Sequence, residues 1–172
     1  MLRQRAQVSD FDRQCGDPNV IAAWGDLGKI PENERPPIPA QMSQVPERMK
    51  NSFANLKRMQ DAGAIVAAGT DAGNIGTLHG PSLHREFELM AEAGLTPMQI
   101  LVATTLNAAR VFAREPEMGT IAPGKLADLV ILDADPLADI RNTRRIYAVI
   151  KGGRSMRRLP TPAPASAPSP WK

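Results

Sequence analysis

The sequence predicts an α/β fold, and three observations carry the prediction. Apolar residues recur at helical spacing over residues 47–61. An uninterrupted apolar run, Ala64-Ile65-Val66-Ala67-Ala68-Gly69, follows at once. A helix start with complete capping chemistry stands at Thr96-Pro97-Met98-Gln99. A helix followed by a run suited to a strand covered on both faces is half of an α/β repeat.

The first helix carries Met49, Phe53, Leu56 and Met59 on its apolar stripe, and Gly63 is placed to stop it. After the apolar run comes a glycine-rich loop from Thr70 to Pro81. A second helix follows, with Leu83, Phe87 and Met90 on one stripe and Gly94 as its stop. In the third helix Thr96 is the N-cap, Pro97 sits at the first helical position and Gln99 closes a capping box. Its apolar face is expected to run through Ile100 or Leu101, Thr104, Ala108, Val111 and Phe112. Beyond the Pro123-Gly124 turn, Leu129–Leu132 and residues 145–151 read as strands, the second ending at Gly152-Gly153. Two strands are marginal alone and need a further partner.

These readings divide the chain into an irregular, proline-rich segment (1–46), a regular α/β part (47–118), a strand part (119–155) and a Pro/Ala-rich tail (156–172) expected to be disordered. With 172 residues the chain has room for a real core but falls short of the roughly 250 residues of a complete (β/α)8 barrel. A single cysteine, Cys15, excludes an internal disulfide framework and a cysteine-based zinc cluster, and it has no neighbouring His to activate it. No run approaches the ~18 apolar residues of a membrane span, and no signal-peptide pattern follows the basic start.

The net charge is +3, with Arg141, Arg144, Arg145, Lys151, Arg154, Arg157 and Arg158 gathered in one stretch. Two Trp, one Tyr and four Phe supply few stacking platforms, and no nucleic-acid-binding spacing occurs. The basic stretch therefore reads as a solvated edge, and nucleic acid is not an expected partner.

Four side chains could carry chemistry. Asp71 stands two residues past the apolar run, at its carboxyl end, where α/β sheets place ligands and catalytic groups. A carboxylate there can ligate a divalent metal or take a proton from water. On position alone, capping the turn is the simpler role. His79, His84 and Glu86 follow and could gather near Asp71 if the loop folds back. Their spacing is not that of a self-sufficient zinc motif, so a loop hydrogen bond for His79 and helix surface or packing for His84 are the plainer readings. The loop glycines match no phosphate-binding fingerprint.

Taken in order, a series of motifs becomes distinctive. It runs Ala68-Gly69-Thr70-Asp71-Ala72-Gly73, His79-Gly80, Glu92-Ala93-Gly94-Leu95-Thr96-Pro97-Met98 and Ala103-Thr104-Thr105-Leu106-Asn107-Ala108-Ala109-Arg110. It continues through Gly119-Thr120-Ile121-Ala122-Pro123-Gly124-Lys125-Leu126-Ala127-Asp128-Leu129-Val130, Asp135-Pro136-Leu137 and Val149-Ile150-Lys151-Gly152-Gly153. From about Ala64 to Arg154 the chain resembles the C-terminal part of the metal-dependent amidohydrolases, in the branch that includes imidazolonepropionase-like and prolidase-like enzymes.

The resemblance implies a partial (β/α)8, TIM-like barrel carrying the last barrel strand and its helices, plus part of a small β-sandwich. Ala64–Gly69 would be the eighth strand. Asp71 would be the terminal aspartate that binds the metal, zinc in the complete enzyme, and accepts a proton from the attacking water. This favours a catalytic role for Asp71 over a cap. His79 would contact substrate: a small amide, a cyclic amide or a dipeptide. The resemblance also exposes departures. The family's His-x-His is absent, since the chain has only two His, and no counterpart to its other metal ligands precedes Asp71. The expectation is a hydrolase fragment inactive alone, needing a missing N-terminal half. The alternative is a non-catalytic interaction module or truncated pseudoenzyme, self-associating through unpaired strand edges.

Overall fold

The structure, a computed structural model, describes residues 8–27, 45–73 and 77–156. The tail predicted over 156–172 lies outside these residues except for Met156. Six α-helices are seen among the described residues: α1 (Asp10–Cys15), α2 (Pro18–Leu27), α3 (Val45–Asp61), α4 (Pro81–Glu92), α5 (Pro97–Thr104) and α6 (Leu106–Val111). They are followed by β1 (Leu129–Leu132), a 3₁₀ turn (Ile140–Arg144), β2 (Ile146–Lys151) and β3 (Arg154–Ser155).

Local chemistry explains most boundaries. At α5, Thr96 Oγ1 accepts from the Gln99 amide (3.3 Å) and Gln99 Oε1 accepts from the Thr96 amide (2.8 Å), so the expected capping box forms. α3 ends where Ala64 N–H donates to Met59 O and Gly63 N–H to Gln60 O. α4 ends the same way, with Leu95 N–H to Met90 O and Gly94 N–H to Ala91 O. Both are paired C-terminal closures in which the residue after the glycine returns an apolar contact. Leu95 and Met90 are both buried, so the closure of α4 is also part of the core.

Three expectations need correction. Residues 8–27, read as irregular, hold α1 and α2. Ser9 and Asp12 form a second capping box, with the Asp12 amide on Ser9 Oγ (3.1 Å) and the Ser9 amide on Asp12 Oδ2 (2.9 Å). That reciprocal cap nucleates a turn too short for apolar periodicity to reveal.

The third predicted helix is broken. Thr104 and Thr105 donate their hydroxyls to Ile100 O (2.8 Å) and Leu101 O (2.7 Å), four residues back, and Thr105 takes φ −109°, ψ −81°. Such back-bonding competes with the ladder and bends helices. The apolar face is rotated as a result. Ile100, Ala103 and Ala109 are buried, whereas Val111 and Phe112 are 66% and 74% exposed.

Residues 64–69, expected as a strand covered on both faces, form no strand among the described residues. Ala64, Val66, Ala68 and Thr70 are half-buried, while Ile65, Ala67 and Gly69 are exposed. The backbone edge through Val66 and Ala68 is held by helices instead. Ala68 N–H donates to Ala103 O (3.2 Å) and Asn107 Nδ2 donates to Val66 O (2.8 Å).

The core lies where α3, α4, α5 and the 3₁₀ turn meet. Phe87, Met90, Ala93, Leu95, Ile100, Ala103 and Ile140 form it, and Phe53, Leu56, Val66, Ala68 and Leu83 pack around it. Full burial of a side chain such as Phe87 or Ile100 contributes about 1.5–3 kcal/mol, so this cluster is the main source of cohesion.

The strands form an antiparallel sheet in the order β1-β2-β3. β1 pairs β2 with Leu129 opposite Ile150 and Val130 opposite Val149, and the register shifts between Ile131 and Leu132. Gly152 and Gly153, at φ +57° and +77°, make the two-residue turn to β3, a conformation that side chains resist. Asp128 straps this turn: its carboxylate accepts from the Gly152 amide (2.7 Å) and pairs with Lys151. The structure is thus a partial α/β arrangement with a small three-stranded sheet. No described helix is long and apolar enough to cross a membrane.

Candidate functional site

The site grows from the end of the extended segment. Thr70 leads into Asp71, whose backbone enters the left-handed region at φ +48°. Aspartate tolerates this conformation better than most side chains. The turn places the carboxylate on the exposed surface. Two bonds brace the backbone around it: Thr77 Oγ1 donates to Asp71 O (3.3 Å) and Gly73 N–H donates to Thr77 O (3.4 Å).

His79 belongs to the same place. A methyl group added at Gly73 would lie 3.9 Å from His79 Nε2, so the imidazole folds back toward a residue two positions past Asp71. His79 is exposed, and Leu78 beside it is buried. Of the other candidates, His79 is the one whose ring turns back toward the segment that follows Asp71.

His84 and Glu86 do not join them. His84 packs edge-on against Phe11 (5.1 Å between ring centroids) and Phe87 (5.8 Å). Its Nδ1 lies 3.0 Å from Thr143 Oγ1, and that hydroxyl donates to Ile140 O (2.8 Å). The hydroxyl proton is therefore committed, and Nδ1 carries the donor hydrogen. Burial, and secondarily the nearby Arg144 guanidinium, lowers the His84 pKa to about 4. A neutral histidine packed this way is a structural one. Arg144 also lies 5.1 Å over the Phe11 ring and donates through Nε to Glu88 Oε1 (2.9 Å). Glu86 has its pKa raised by burial. The Cys15 thiol is exposed, and burial of part of its surface, with Asp12 nearby, raises its pKa, which disfavours a thiolate.

A catalytic zinc ordinarily takes three protein ligands and keeps one position open. Among the described residues no group of three or more His, Cys, Asp or Glu could hold a metal ion. Both histidines are described, one at the turn and one in the Phe11–Phe87 cluster. The described residues therefore do not assemble a metal centre among themselves. The residue that sequence reasoning missed is Asn107, whose amide ties α6 to Val66 in the segment leading to Asp71. It lies within a quoted motif, but its partner is 41 residues away and no local pattern names it.

Comparison with known proteins sets this geometry in context. The model of the amidohydrolase family matches residues 15–156. The chain belongs to the amidohydrolase family. Among curated relatives, an imidazolonepropionase of Geobacillus sp. (strain WCH70) is 43% identical over 81 residues, covering 46% of this chain and 19% of its own length. That of Geobacillus kaustophilus (strain HTA426) is 36% identical over 105 residues, covering 59% of this chain and 24% of its own.

Among solved structures, a Xaa-Pro dipeptidase with bound methionine in the active site superposes with a TM-score of 0.62 at 27% identity, covering 81% of this chain and 33% of that one. Molinate hydrolase superposes with a TM-score of 0.53 at 37% identity, covering 59% and 25%. This amidohydrolase chain thus spans about a fifth to a third of the length of these relatives. The expected kinship with both imidazolonepropionases and prolidase-like enzymes holds.

Proposed function

We propose that this chain carries the terminal part of a C–N-bond hydrolase site. In this reading Ala64–Gly69 is the last strand of a TIM-like barrel, residues 47–118 are the end of that barrel, and residues 119–155 are part of an accompanying β-sandwich. Asp71 is the aspartate that would ligate the metal, zinc, and accept a proton from the attacking water. His79 contacts the substrate, a small amide, cyclic amide or dipeptide. The observation that carries the reading is the left-handed turn at Asp71, which opens from an extended segment and has His79 folded back toward Gly73. Because the described residues do not assemble a metal centre, this reading takes the remaining ligands from other polypeptide and this chain alone as inactive.

A chimera tests the assignment. The 105-residue stretch aligned with the Geobacillus kaustophilus enzyme replaces its counterpart in that protein. The reading expects the chimera to hydrolyse imidazolone propionate. Asp71→Asn within it should lower kcat by at least about a hundredfold, the scale of a lost general base. Equal turnover by both chimeras would refute the role of Asp71.

One observation favours a second reading, a non-catalytic module that associates through its edges. Ile65 is 66% exposed and Val130 58% exposed, the first on a segment that pairs with no strand among the described residues and the second on the outer strand of the sheet. Unpaired apolar edges are templates for association. Concentration-dependent sedimentation of the purified chain supports this reading; a monomer at all concentrations opposes it.

A further inference from the structure

Leu78 is the anchor beneath His79. It is 3% exposed, whereas Asp71, Gly73, His79 and Gly80 around it are exposed. Its amide donates to Ser82 Oγ (2.7 Å), which ties it to the first turn of α4. Its side chain is met from the other side by the connection between α1 and α2. A methyl group built on Gly16 would stand 2.6 Å from Asp12 O, 2.9 Å from Leu78 Cδ1 and 3.1 Å from Ile21 Cδ1. Side chains do not approach as closely as the first two distances, so the missing side chain of Gly16 is what lets the chain close on Asp12 O with Leu78 against it and Ile21 tight beside it. α1 is fixed at a second point, where Phe11 packs edge-on against His84 and lies under Arg144.

The geometry points to a positioning role for this N-terminal clip. Gly16 and Ile21 form the seat of Leu78, and that seat holds the His79 imidazole against Gly73 beside the Asp71 turn. The inference rests on the proposed function in taking His79 as a substrate-contacting group, but its geometric content does not depend on hydrolysis. Two of the bonds at the turn are long, Thr77 to Asp71 O at 3.3 Å and Gly73 to Thr77 O at 3.4 Å, and bonds of that length hold weakly. An apolar seat under the neighbouring residue adds to the orientation they give.

The chain has only two His, so proton NMR gives two imidazole spin systems, and His84 serves as an internal control in every spectrum. Gly16→Val fills the seat but also presses on Asp12 O at the end of α1, whereas Ile21→Ala opens one wall of the seat and leaves that closure untouched. In the full-length protein, Gly16→Val is expected to abolish the cross-relaxation between the His79 ring and Gly73. It should also accelerate exchange of the Leu78 amide roughly tenfold, with the His84–Thr143 contact kept. Ile21→Ala should change both readouts in the same direction by less. The inference is overturned if both variants keep the His79–Gly73 contact with Leu78 exchange near wild type. Simultaneous loss of the His84 contact in both variants also overturns it, because that marks general loosening. Failure of the hydrolase reading would appear only in the Asp71→Asn chimera, so the two can be told apart.

Discussion

His84 and Thr143, 59 residues apart, are joined by a hydrogen bond from Nδ1 to Oγ1 at 3.0 Å. The bond fastens α4 to the 3₁₀ turn, and Thr143 is 6% exposed. Thr143→Val leaves the imidazole N–H without its acceptor. The expected loss is about 1–3 kcal/mol of stability, the cost of an unsatisfied buried donor, read as a lower urea midpoint at unchanged slope.

The same histidine makes stability depend on pH. Its folded pKa, about 4, lies below the ordinary 6.5. Between these values the unfolded chain binds the proton and the folded chain does not, so stability rises with pH. The contribution of neutral His84 is complete above about pH 6.5 and declines as pH falls toward 4. Thermal melts from pH 5 to 7 should show the melting temperature falling on acidification. His84→Gln should flatten that dependence, since the carboxylates are common to both proteins. An identical slope in the variant would show that His84 is not its source.

Gly119 sits against the break between α5 and α6. A methyl there would meet Ala109 Cβ at 2.8 Å, Leu106 Cα at 3.0 Å and Thr105 O at 3.1 Å, at φ +92°. Gly119→Ala is expected to cost about 1–3 kcal/mol through overpacking, with left-handed strain added. Gly124, at φ +84° with nothing within 4 Å, is the comparison. Gly124→Ala carries the strain alone, and chemical denaturation should find it the milder change.

Asn107 donates to Val66 O at 2.8 Å. Asn107→Leu removes the strap on the segment that leads to Asp71. Stability should fall by about 1–3 kcal/mol. Exchange of the Ala68 amide, bonded to Ala103 O, should quicken more than that of the α4 amides. Uniform quickening would mean that the amide does not act locally.

Much of the fold was legible because its signals are local. Thr96, Pro97 and Gln99 name a helix start by their own chemistry, and Gly63 and Gly94 end helices where they were expected to. Leu129–Leu132 is a strand as read. The α1 start was also written locally, in Ser9 and Asp12, but a six-residue helix is shorter than the window in which periodicity speaks. The break at Thr105 was hidden because hydroxyls bonded four residues back compete with a ladder that the apolar pattern assumes. The extended run at 64–69 looked doubly covered because its residues are all small or apolar, yet covering it requires neighbours that the described residues do not include. The place of Asp71 just past the 64–69 run could be read from the sequence, whereas position alone did not decide its role. For His84 the sequence left helix surface and packing open, and packing is decided by Phe11 and Thr143, which are distant in the chain.

Zinc titration of the purified chain by calorimetry, with the Asp71→Asn variant alongside, tests the central claim most directly. The account predicts no saturable binding at one equivalent and no hydrolysis of an Xaa-Pro dipeptide or imidazolone propionate, in either protein. One tightly held equivalent that disappears in the Asp71→Asn variant, accompanied by turnover, would contradict it.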